Sequence, residues 1–145
     1  MWRLKQICLV AADLDRARDD LEAILGLEVA YSDPGLEQFG VQNVMLPIGN
    51  SFLEEVSPIR ENTTAGRFLE RRAGDGGYMV ILQCGDIAAV KERVERLSIR
   101  IVWEDSDEHT AGNQLHPKDL PGALVEIRRN AGDQSPHGPR APARP

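Results

Sequence analysis

Two glutamates are the groups in this chain most able to do chemistry. Glu54 follows Leu53 in the run Ser51–Val56, and Glu126 lies between Val125 and Ile127. A charged group flanked by apolar strand residues needs a partner, a ligand, a metal or water. A carboxyl group half-buried beside another holds its proton more tightly than in water, which suits proton abstraction from carbon next to a carbonyl. The competing assignment is structural. Arg67, Arg71, Arg72, Arg128 and Arg129 are all available as ion-pair partners, and structural pairs perturb acids as functional sites do. No Ser/His/Asp arrangement accompanies the two acids. The Gly74–Gly77 stretch lacks the Lys-Ser/Thr of a phosphate loop and serves better as a turn.

An internal repeat sets out the elements that must position these acids. The apolar run from Gln6 to Leu9 ends at Asp13-Leu14, and a matching run from Met79 to Leu82 ends at Asp86-Ile87, 73 residues later. Each run has the length and composition of a buried strand, and each Asp is placed to cap a helix. The helices follow the same plan, with Leu14, Ala17, Leu21, Ile24 and Leu25 in one and Ile87, Val90, Val94 and Leu97 in the other. These spacings give one apolar stripe per helix and a charged outer face. Gly26 suits a left-handed helix terminus, and Ser98 takes its place in the second copy. Beyond the helices Leu53-Glu54 matches Val125-Glu126 with an offset of 72 residues.

The remaining strands are expected at Glu28–Tyr31, Val41–Pro47 and Ser51–Val56, and again at Arg100–Glu104, near Asn113–Leu115 and at Ala123–Arg128. A short helix around Gly66–Arg72 joins the halves, and residues 104–112 read as an acidic polar loop. The fold expected is α+β: one domain, residues 1–129, of two βαβββ modules at about 4–58 and 77–129. They form a partly closed mixed sheet around a pocket, with the helices on the outer face. Residues 130–145 are Pro-rich and apolar-poor, the composition of a disordered tail.

Alternation along the strands puts Gln6, Glu54, Met79 and Glu126 at four repeat-related positions away from the helices, with Gln83 on the Met79 face. His116 is the only histidine in an ordered, motif-bearing segment. It could meet substrate at a pocket rim, although fixing the turn before the last strand is the stronger assignment.

Composition narrows the partners. The formal net charge is −6, and no basic patch with interleaved aromatics appears, which argues against nucleic acid. No run approaches the length of a membrane span, and the N-terminus lacks a signal-peptide layout, so a cytoplasmic location is expected. Cys8 and Cys84 lie in apolar runs without metal-ligand spacing and read as small buried hydrophobes in a reducing compartment.

With these residues placed, the chain resembles the vicinal oxygen chelate superfamily of glyoxalase, bleomycin-resistance and ring-cleaving dioxygenase proteins. Its pattern comes closest to the methylmalonyl-CoA epimerases. The carrying stretches are Asp13-Leu14 through Leu25-Gly26; Ile48-Gly49-Asn50 with Leu53-Glu54 and Ser57-Pro58; Phe68 to Arg72; and His116-Pro117-Lys118-Asp119 followed by Gly122 to Ile127. The resemblance implies a divalent metal at the four repeat-related positions, held in the epimerases by His, Gln or Glu, His and Glu. Glu54 and Glu126 fit that pattern, whereas Gln6 and Met79 replace the histidines and Tyr78 the histidine before the second. A glutamate that the epimerases use as a base maps near Asn43, which accepts no proton at neutral pH. A thioether is a poor ligand for Mg²⁺ or Mn²⁺. Two carboxylates and an amide could hold only a weak, water-rich ion. No cofactor is therefore assigned, beyond such a weakly bound divalent metal.

Two functions follow. One is a lyase or isomerase moving a proton on a carbonyl or thioester compound through Glu126 and Glu54, with Gln6, Asn43, Met79, Gln83 and His116 toward the substrate. The other is a non-catalytic protein that sequesters a small molecule or drug in the same pocket. A bare interaction module is the blandest reading. Homodimers are common in the superfamily, and no stripe in the sequence demands one.

Overall fold

The computed structural model describes residues 1–120 and 122–130; the Pro-rich tail expected at 130–145 lies, after Asn130, outside them. Among the described residues the chain forms a mixed α+β fold of seven strands and three α-helices. It divides into two compact units, one spanning Ile7–Tyr78 and the other combining Met1–Gln6 with the chain from Met79 onward.

In the Ile7–Tyr78 unit, the second half of β1 (Trp2–Val10) leads to α1 (Leu14–Leu25). The Asp13 carboxylate accepts from the Arg16 N–H at 3.1 Å, and Gly26 closes the helix at φ 63°. An aspartate cap and a left-handed glycine satisfy the groups that helix ends leave unpaired. Then come β2 (Val41–Ile48) and β3 (Ser51–Pro58), an antiparallel hairpin with Ile48 opposite Ser51, and α2 (Thr64–Arg72), capped by Thr63. The strand order is β2-β3-β1. Leu14, Val44 and Leu46 form the buried cluster, with Leu21, Leu27, Val29 and Leu53 against it.

The expected strand at Glu28–Tyr31 reduces to a single bridge, Tyr31 to Met45. The Glu22 carboxylate takes the Val29 N–H at 3.0 Å, diverting a donor that a ladder would use. Asp33-Pro34 then turns the chain into a 3₁₀ helix, Pro34–Phe39, with the Asp33 side chain accepting from the Gly35 N–H. Pro at a first helical position is compatible with helix and not with a continuing ladder.

The second unit contains β4 (Gly76–Cys84), α3 (Ile87–Arg96), β5 (Ile101–Ser106), β6 (Thr110–Leu115) and β7 (Leu124–Asn130), in the order β4-β7-β6-β5. β4 and β7 run parallel, and the other two pairings are antiparallel. Asp86 caps α3 through the Ala89 N–H, and Ser98 adopts φ 57°, the conformation of Gly26 in the first copy. Cys84, Val90, Val94, Leu115 and Ile127 form the core of this unit. The polar loop expected at 104–112 is a hairpin instead. Asp107 accepts from the His109 and Thr110 N–H groups, each at 2.7 Å, so a three-residue turn suffices. Those bonds, the Thr110 one foremost, hold the Asp107 carboxyl below its ordinary range. Cys8 and Cys84 are both buried and are not joined in a disulfide. No helix among the described residues is long and apolar enough to cross a membrane.

Candidate functional site

Each unit carries one buried glutamate gripped by a carboxamide from the adjacent antiparallel strand. In the Ile7–Tyr78 unit, Glu54 on β3 is 6% exposed and pairs in register with Met45 of β2. Asn43, two residues along that strand and therefore on the same face, donates from Nδ2 to Glu54 Oε1 at 2.6 Å. The Asn43 Oδ1 in turn accepts from the Asp33 N–H at 2.8 Å, which fixes which end of the amide meets the carboxylate. Tyr31 borders this group. Burial first, then the charges of Asp33 and Glu54, push its hydroxyl above the ordinary range.

Glu55, the next residue, takes the opposite face. It stands across from Val44 of the core cluster and is 4% exposed. Burial, reinforced by the nearby Asp75 carboxylate, pushes its carboxyl up to about 7. Asp75 accepts from the Ala12 N–H at 2.9 Å, and the Ser57 hydroxyl donates to the Ala12 carbonyl, so these groups secure the entry to α1. Sequence reasoning passed over Glu55, although strand alternation beside Glu54 was a sufficient signal.

In the second unit Glu126 on β7 is also 6% exposed. Gln114, directly opposite on β6, donates from Nε2 to Glu126 Oε2 at 2.9 Å. The other oxygen, Oε1, forms an ion pair with Arg128 Nε. Arg128 also reaches Asp105 on β5, with Nη2 at 3.2 and 3.0 Å from its two oxygens, and its Cζ lies 5.9 Å from the centroid of the Trp103 ring. Gly112 makes room for this arrangement. A Cβ there would lie 2.9 Å from both Arg128 Nε and Asp105 Oδ1. Arg128 entered the sequence analysis only as one of five available cations. Gln114, Asp105 and Gly112 carried no signal, because cross-strand register alone brings them to Glu126.

Met79 and Gln83 lie on β4, in register with Leu124 and Arg128, so they share a face with Glu126. Gln83 Oε1 accepts from Arg3 Nη2 at 2.6 Å. Gln6 is buried on β1. His116 lies in the turn between β6 and β7. Its Nδ1 accepts from the Lys118 N–H at 3.1 Å, and its backbone N–H donates to the Arg100 carbonyl. Asp119 completes the motif by binding both the backbone and the guanidinium of Arg100, whose bonds hold the Asp119 carboxyl far below its usual range.

These donors do not fit a hard divalent ion. Met79 offers a thioether, and Glu126 already has a guanidinium on one oxygen and an amide on the other. Among the described residues no cluster of three His, Cys, Asp or Glu side chains could hold a metal. The open groove of about 350 Å³ along β5 and α3, spanned by the Lys91–Glu104 ion pair, contains none of the acids discussed above.

Comparison with known proteins places the whole chain in one context. The sequence model of the glyoxalase-like domain matches residues 7–143. The mitochondrial methylmalonyl-CoA epimerase of Bos taurus is 28% identical over 132 residues, covering 89% of this chain and 75% of the relative. The ethylmalonyl-CoA/methylmalonyl-CoA epimerase of Cereibacter sphaeroides is 26% identical over 131 residues, covering 88% of this chain and 97% of the relative. Among solved structures, a variant methylmalonyl-CoA epimerase of Streptomyces coelicolor in complex with 2-nitronate-propionyl-CoA superposes with a TM-score of 0.81 at 26% identity, covering 92% of this chain and 98% of that one.

Proposed function

Because the chain belongs to the glyoxalase-like domain family, we propose that it is an isomerase moving a proton at the carbon next to the carbonyl of a CoA thioester. The observation that carries this reading is the pair of buried glutamates, Glu54 and Glu126, each held by a strand-neighbour carboxamide. The relatives add the substrate class, since the similar proteins are epimerases of acyl-CoA compounds along nearly the full chain. A carboxylate has about four lone-pair sites, so a single carboxamide bond orients each acid without occupying all of them.

In this reading a carboxylate accepts the α-proton, leaving an enolate, and a carboxyl group returns a proton to the same carbon. Glu54 and Glu126, each within its own unit, are the candidate groups for that work. Asn43 holds Glu54 by donating, and it cannot itself serve as a base. Gln6, Met79 and Gln83 face the substrate, and His116 keeps its Nε2 for a ligand while Nδ1 secures the turn.

The test follows exchange of the α-protons of acyl-CoA esters in D₂O by NMR, using the wild type and the Glu54→Gln and Glu126→Gln variants. Each substitution is expected to slow exchange at least about 100-fold, the contribution of a positioned general base. Exchange unchanged in both variants would remove these residues from the reaction. Tight binding of the ester by a wild type that exchanges nothing would establish sequestration instead.

A further inference from the structure

Arg128 is more constrained than a residue that merely neutralises Glu126. Its Nε pairs with Glu126, and its Nη2 bridges both oxygens of Asp105. The Trp103 ring lies beside the guanidinium plane, and the missing Cβ of Gly112 leaves the space that the pair occupies. A guanidinium fixed by two partners has lost its rotational freedom before any ligand arrives, so little further ordering is required on binding. Among the described residues its Nη1 makes no hydrogen bond, and the side chain keeps 22% of its exposure. The cluster therefore ends in one oriented, charged N–H donor on the Glu126 face of the strands.

Charge decides what that donor takes. Two carboxylates already share this single guanidinium, so a third would be repelled, whereas a neutral acceptor oxygen would not. We propose that Arg128 donates from Nη1 to the carbonyl oxygen of the acyl thioester and is the residue that distinguishes a thioester from a ligand lacking that carbonyl. The substrate class rests on the function proposed above. A hydrogen bond from a fixed cation to this oxygen withdraws charge as the enolate forms, which places the carbonyl anchor two residues from the acid Glu126 on one strand face.

The experiment compares propionyl-CoA with S-propyl-CoA, its thioether counterpart without the carbonyl, by titration calorimetry. The wild type is expected to prefer the thioester by roughly 10- to 100-fold, the effect of one charge-assisted hydrogen bond. Arg128→Gln should bring the ratio close to one. Because that variant removes the cation beside the buried Glu126 and could destabilise the fold, Gly112→Ala provides an independent test. It keeps every charge and forces the guanidinium to move, and it too should lose the preference. Equal affinity of the wild type for both ligands, or a preference that survives both substitutions, overturns the assignment to Arg128. Equal affinity together with α-proton exchange overturns Arg128 alone, whereas failure of the wild type to bind either compound overturns the thioester reading as well.

Discussion

Glu55→Gln should make the protein more stable at pH 8 and leave it nearly unchanged at pH 4.5. Glu55 is buried opposite Val44 of the core cluster, and burial with Asp75 raises its carboxyl from 4.5 to about 7. Between those two values the folded protein keeps a proton that the unfolded chain has released. Stability from this residue is therefore complete below about pH 4.5, falls as pH rises through the window, and is fully lost above about 7. A displacement of that size corresponds to at most about 3 kcal/mol. For a domain of this length the equivalent change in Tm is on the order of 10 °C. Glutamine keeps the size and polarity of the side chain and cannot ionise, so the variant should lack this slope. Urea unfolding of wild type and variant from pH 4.5 to 8.5 measures the difference directly. Parallel curves, or a wild type more stable than the variant at pH 8, would refute a protonated Glu55 in the native core.

Two further predictions concern the repeat and the backbone. Asp13→Ala and Asp86→Ala should each cost about 1 kcal/mol in urea unfolding, as expected for helix caps. Similar losses would show that the two copies use the same cap energetics. Gly40→Ala should cost about 2 kcal/mol or more, because φ is 73° and a Cβ would fall 2.6 Å from Thr63 Cγ2. A change below about 0.5 kcal/mol would mean that the junction after the 3₁₀ helix relaxes freely.

Features set by local sequence were legible in advance. Asp13 and Asp86 cap helices as their positions imply, and the stripes Leu14–Leu21 and Val90–Val94 face the cores of their own units. Features set by cross-strand register were not. Glu54 and Glu126 were readable as strand acids, yet their partners Asn43 and Gln114 are fixed by pairing that no local pattern encodes. Asn43 entered the sequence reading as the place of a lost base and as a residue toward the substrate, and in the structure it donates to Glu54. The Glu126-x-Arg128 spacing puts acid and cation on one strand face, a signal that the sequence reading did not use. What it could not reveal was Gly112, whose missing side chain lets Arg128 reach across β6 to Asp105. The strand expected at 28–31 failed for a similar reason, since the Glu22 side chain competes for the Val29 donor from seven residues away.

The central claim is that this chain moves a proton on a CoA thioester with its own side chains. Its most direct test incubates the metal-stripped protein with methylmalonyl-CoA in D₂O, with chelator present, and follows the ester by mass spectrometry. The account predicts a gain of one deuterium at the α-carbon, at a rate that added Mg²⁺ or Mn²⁺ does not change. No deuterium uptake by a protein that binds the ester, or uptake that appears only when the metal is restored, would contradict it.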